Sequence, residues 1–340
     1  MGNDQTLQSS DDLGLLQAVL GDGRPLLGFT GIALLMSGLF AIFQSATGHF
    51  LPHDEAWLGM SAQELCEVNG CRIVHFMIHD RVAFGGVVTV IGAIYLWLVC
   101  FPLRQREAWA WWTLLLSGIE GFGSFLLYLG HGYLDTWHGA ATLALFPCFA
   151  IGLWRARPRG TGATLRDQLR PVEPITWRTR AGVGRNLLCA TGIGLTGAGL
   201  TIMTVGATAV FVPQDLQFLQ MTPAEIAAVS DRLIPLIAHD RAGFGGGVCC
   251  CGLLIFALGW RGRRTRSWWQ ILLLAGAVGF GCAIGVHPAI GYNDTLHLLP
   301  AYTGAGVMAI ALILLARPRD VQSAHTENAN NPSIGVPVTP

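Results

Sequence analysis

Residues 82–102 read VAFGGVVTVIGAIYLWLVCFP, and residues 242–260 read AGFGGGVCCCGLLIFALGW. Neither run holds a charged side chain. A helix rises 1.5 Å per residue, so about 20 apolar residues cross the roughly 30 Å of bilayer hydrocarbon. Backbone N–H and C=O groups cannot go unpaired in lipid, which makes a helix the only form these runs can take there. The same triplet precedes both: His79-Asp80-Arg81 and His239-Asp240-Arg241.

Further apolar runs occur at 26–47, 109–130, 139–154, 187–211, 267–287 and 298–316. The expected fold is an all-α integral membrane protein with eight transmembrane helices. Composition agrees: the 340 residues are 52% hydrophobic and 12% charged, where a soluble domain carries about 25% charge. The net charge of zero gives no reason to expect a nucleic-acid partner. Every basic residue is arginine, which excludes lysine-based chemistry.

The triplets belong to a longer recurrence at a spacing near 160 residues. Pro52-His53-Asp54 recurs as Pro213-Gln214-Asp215, and Gly121-Phe122-Gly123 as Gly279-Phe280-Gly281. Gly132-Tyr133-Leu134-Asp135-Thr136-Trp137-His138 recurs as Gly291-Tyr292-Asn293-Asp294-Thr295-Leu296-His297. This pattern predicts two tandem four-helix repeats, 25–155 and 187–319, related by parallel pseudo-twofold symmetry. Around them lie an N-terminal tail (1–24), a basic linker (156–186) and a polar, disordered C-terminal tail (320–340). The glycine pairs 85–86 and 245–246 should let their helices approach neighbours closely.

Arginine placement orients the chain. With the N-terminus in the cytoplasm, only Arg72, Arg81, Arg232 and Arg241 face outward, and the other 17 lie inside. Both termini are then cytoplasmic, the compartment is the inner (cytoplasmic) membrane, and the bilayer is the one certain partner. No signal peptide is expected, because 1–24 is polar and acidic.

On this topology nine of the ten histidines gather at the outer boundary. Each triplet should open the second or sixth span, and each Asp-Thr-x-His motif the fourth or eighth. That reading yields one polar cluster per repeat: His79, Asp80, Arg81, Asp135 and His138, then His239, Asp240, Arg241, Asp294 and His297. Such clusters could bind a metal, a haem or a small polar substrate, line a proton or substrate pathway, or serve structure alone. Imidazole and carboxylate groups from His79, Asp135, His138, His239, Asp294 and His297 could hold a metal ion, or facing histidines a haem. Alternatively, Asp135 and Asp294 are helix caps and the Asp–Arg pairs fasten helix ends, as in an accessory subunit of a membrane complex.

Glu120 stands inside the third span with no acidic counterpart in the second repeat. It is a candidate proton relay, and a proton-coupled transporter would place its substrate nearby, between the repeats. Cys66 and Cys71, outward and close in sequence, are a candidate disulfide. Cys249, Cys250 and Cys251 cannot share one helix face and read as packing residues. Loops 51–64 and 212–225 each begin near proline and read as ordinary interfacial connectors, with a short surface helix that lids the polar cluster as the alternative.

Overall fold

A computed structural model of the chain describes residues 14, 20–124, 126, 132–133, 136–158, 170–174 and 176–316. Asp135, His131 and both tails' far ends lie outside the described residues. Among the described residues there are twelve helices and no strand. In chain order they are α1 Arg24–Ala46, α2 Pro52–Leu58, α3 Ala62–Asn69, α4 Arg72–Cys100, α5 Ala108–Ser124, α6 Thr136–Arg155, α7 Arg180–Ala207, α8 Pro213–Leu219, α9 Pro223–Val229, α10 Leu233–Arg261, α11 Arg266–Ile290 and α12 Thr295–Leu315.

Seven of these, α1, α4, α6, α7, α10, α11 and α12, are long and apolar enough to cross a bilayer. Two form the centre: α4 is buried over most of its length, as is α10. The outer helices turn large apolar side chains to the surroundings, among them Phe43 on α1, Leu143 on α6 and Ile313 on α12. A soluble protein does not tolerate that much exposed hydrocarbon, whereas lipid covers it without cost. The chain has the architecture of a multi-pass helical membrane protein.

The central helices begin earlier than hydropathy suggests. The sequence places their starts at 82 and 242, but α4 begins at Arg72 and α10 at Leu233. The two triplets therefore lie about two turns inside their helices rather than opening them. Hydropathy is blind to a helix whose polar residues satisfy one another, and His79, Asp80, His239 and Arg241 are all buried.

Neighbour relations cross the chain. α1 packs along α4, and α7 along α10. Yet α5 packs on α10 and α11 on α4, so the third long helix of each half lies against the other half. The glycine pairs explain how. A Cβ on Gly85 would meet Gly38 O of α1 at 2.8 Å, and one on Gly86 would meet Cys282 Cβ of α11 at 2.6 Å. A Cβ on Gly245 would meet Met203 N of α7 at 2.5 Å, and one on Gly246 would meet Ser124 Oγ of α5 at 2.5 Å. Each pair thus removes two side chains on adjacent faces, admitting one helix from its own half and one from the other. Cys249, Cys250 and Cys251 are buried in the same interior, with Cys250 against Ser117 of α5 and Cys251 against Val87 of α4.

The two ends of the bundle use arginine differently. At one end guanidinium groups take helix C-terminal carbonyls: Arg185, 1% exposed, donates to Gly259 O and Gly262 O, and Arg264 to Leu315 O. At the other end the short helices cover a second apolar cluster that includes Phe76, Tyr133, Leu219 and Tyr292. There Cys66 and Cys71 are joined by a disulfide.

Candidate functional site

Because α4 and α10 pack side by side at this second end, their triplets meet. Arg81 Nε donates to Asp240 Oδ2 at 2.8 Å, and Arg241 Nε to Asp80 Oδ2 at 3.3 Å. Each arginine also reaches a short helix: Arg81 Nη1 donates to Asp54 Oδ2 of α2 at 2.8 Å, and Arg241 Nη1 to Asp215 Oδ2 of α8 at 2.6 Å. Two tyrosines close the set, Tyr133 Oη donating to Asp54 Oδ1 at 2.7 Å and Tyr292 Oη to Asp215 Oδ1 at 2.9 Å. Burial and the neighbouring Asp215 carboxylate push the Tyr292 phenol upward, which keeps it protonated and donating.

This described network holds four carboxylates and two guanidinium groups. Imidazoles accompany two of the carboxylates: His79 lies 2.9 Å from Asp80 and His53 lies 3.5 Å from Asp54. The sequence pattern did not single out Asp54, Asp215, Tyr133 or Tyr292 as site residues. Their recurrence at matching places in the two halves was the available signal.

The imidazoles do not group by half. His79 of α4 meets His287 of α11 and His297 of α12, with ring centroids 4.5 Å and 5.6 Å away. His287 and His297 are 5.3 Å apart. One ring nitrogen from each can be chosen so that all three lie within 4.8 Å of one another. His138 of α6 instead meets His239 of α10, Nδ1 to Nε2 at 3.4 Å, with the rings stacked. His287 was missing from the sequence-derived set because it stands outside the recurring motifs.

Tautomers favour a common focus. His79 Nδ1 lies 2.9 Å from Asp80 Oδ1, and His287 Nδ1 lies 2.8 Å from Ala283 O. Each of those partners accepts a hydrogen bond, so Nδ1 is the donor on both rings and Nε2 is the nitrogen left for a ligand. The Nε2 of His287 is buried and has no hydrogen-bond partner. A carboxylate or carbonyl behind Nδ1 is also the arrangement that orients a metal-binding imidazole.

Asp294 has a different task. It is the N-cap of α12, its Oδ1 accepting the His297 backbone N–H at 2.7 Å. Its place there fixes the first turn of α12, and with it the His297 ring. Glu120 of α5 lies against Cys249 of α10, and its Oε1 is buried without a hydrogen-bond partner. Comparisons with protein-family models, curated proteins and solved structures find no match to this chain.

Proposed function

We propose that this chain is an eight-span inner-membrane metalloprotein whose His79, His287 and His297 bind one divalent transition-metal ion. The observation that carries the reading is the convergence of three imidazoles from three helices, with the buried Nε2 of His287 unpartnered. A tetrahedral centre with bonds of about 2.0–2.1 Å needs nitrogens about 3.3 Å apart. From separations of up to 4.8 Å, each ring would move inward by less than about 1 Å. The Asp80 carboxylate behind His79 adds electrostatic support for a dication.

Three neutral imidazoles leave a coordination position open, which is the pattern of catalytic rather than structural zinc sites. A metal there would supply Lewis acidity or an activated water. The chain's own residues would hold His79 through Asp80, and Asp80 through Arg241. A haem fits less well, because the three rings touch one another and leave no slot for a macrocycle.

The eight-span reading adds α5, Ala108–Ser124, to the seven long helices. Tandem duplication into 25–155 and 187–319 is supported by the matched Asp–Arg–Tyr networks and the matched pairings of α1 with α4 and α7 with α10. With the carbonyl-bonded arginines in the cytoplasm, the metal site lies at the outer face. A second reading, proton movement through Glu120, rests on that residue's buried, unpartnered Oε1.

The test is metal content. Purified protein dialysed against zinc should hold one ion per chain by mass spectrometry. The His287→Gln variant should fold with unchanged yield and bind at least about 100-fold more weakly. Wild-type protein that stays metal-free after dialysis, or a His287→Gln variant that binds as tightly, overturns the proposal.

A further inference from the structure

A cavity of about 290 Å³ lies among α1, α4, α5, α6 and α10. Its two ends differ. The polar end is lined by Asp54, Asp80, Arg81, His138, His239 and Asp240. The deep end, toward the bundle centre, is lined by apolar groups including Leu34, Val88, Ile91 and Leu145.

The cavity exists because α1 and α6 separate. Near the arginine end they touch closely, with Gly23 against Gly152 and Arg155 bonded to Gly21 O. Toward the histidine end they part, and Ser37 and Phe40 of α1 face Ala141 and Leu145 of α6 across the opening. Phe40 and Trp137 line the cavity yet are 48% and 62% exposed, so it opens sideways where lipid would lie.

Charge and shape select the occupant. Arg81 is the one guanidinium among the described lining residues, and Asp54 and Asp240 already hold it. Three carboxylates line the same end; Asp54 accepts from Arg81 and Tyr133, Asp80 from Arg241 with His79 beside it, and Asp240 from Arg81, and each has lone pairs beyond those bonds. An anionic head group meets three carboxylates and a guanidinium already paired with two of them, whereas a neutral head with hydroxyl donors finds acceptors. Aromatic rings flank this end: Phe84 sits edge-on to His138, and the His138 and His239 rings are stacked. They suit a flat ring. The volume is at the lower limit of small-molecule sites, about 300–1,000 Å³, which is small for the paired chains of a phospholipid.

We infer that this cavity binds a lipid hydroquinone, or a phenol of like shape, entering from the bilayer between α1 and α6 with its hydroxyls toward Asp240 and Asp80 and its chain along Leu34 and Leu145. The inference is independent of the metal reading, although Asp80 touches both sites.

The experiment is anaerobic binding of a decyl-chain benzohydroquinone to the purified full chain in detergent, read by thermal stabilisation. The hydroquinone should stabilise the protein in a saturable way. The matching benzoquinone lacks the hydroxyl donors and should bind about tenfold more weakly or worse. An anionic single-chain phospholipid should not compete. Ala141→Trp, at an exposed position that fills the opening, should abolish binding and leave the ligand-free melting temperature unchanged. Should that variant fold poorly, Ser37→Trp on the facing helix serves the same purpose. Equal binding of quinone and hydroquinone, competition by the anionic lipid, or full binding in a folded blocked variant each overturns the inference.

Discussion

The two imidazole groups sit at the same end of the bundle and are built from matching sequence, yet they differ in kind. Around His79 three imidazoles meet, with Asp80 and Ala283 O behind two of them. Around His239 one further described imidazole, His138, shares a contact, and the space beside it is a cavity. The cause lies in the helix neighbours. On the His79 side α11 continues to Ile290 and brings His287 inward. On the other side α1 and α6 part and leave room. Matching motifs thus yield three imidazoles in contact on one side and two beside a cavity on the other.

The supporting networks differ in burial as well. Arg241 and Asp215 side chains are 6% and 0% exposed, while the Arg81 side chain is 19% exposed. Removing one member of a buried ion pair strands the other, at a cost of about 3–5 kcal/mol. Arg241→Ala should therefore nearly eliminate folded protein, judged by size-exclusion yield in detergent. Arg81→Ala should lose less. Equal loss in the two variants would erase the distinction between the networks.

Overpacking comes next. Gly86→Val would drive a side chain into Cys282 of α11, at a cost of about 1–3 kcal/mol. Adding Cys282→Gly should recover part of the lost melting temperature. No recovery in the double variant would break the crossed packing that separates the two sites. Tyr292→Phe removes a hydrogen bond to a carboxylate, worth about 1.5–3 kcal/mol, and should lower the melting temperature at least as much as Tyr133→Phe. The smallest effect belongs to the surface. Arg232 stacks over Trp57 at the exposed rim, and Arg232→Gln should cost under about 1 kcal/mol.

Much of this was legible in the chain itself. The apolar runs located the long helices, and the repeated triplets lie at the end of the bundle where the imidazoles gather. Asp294 before Thr295 marked a helix start, as an aspartate cap does. The grouping of histidines was not legible. The motifs suggested His79 with His138 and His239 with His297, whereas the packing joins His79 to His297 and His239 to His138. His287 carried no motif, and only the course of α11 brings it to His79.

The sequence by itself determined that the chain is helical and apolar, and where its arginines and histidines segregate, because those properties follow from local composition and spacing. Which helices touch was decided only in three dimensions. In lipid a neighbouring helix and a hydrocarbon tail are equally apolar, so hydropathy cannot tell a helix's partner from its solvent. Here glycine-sized gaps on two adjacent faces of α4 and α10 made that choice, and it set which imidazoles could meet.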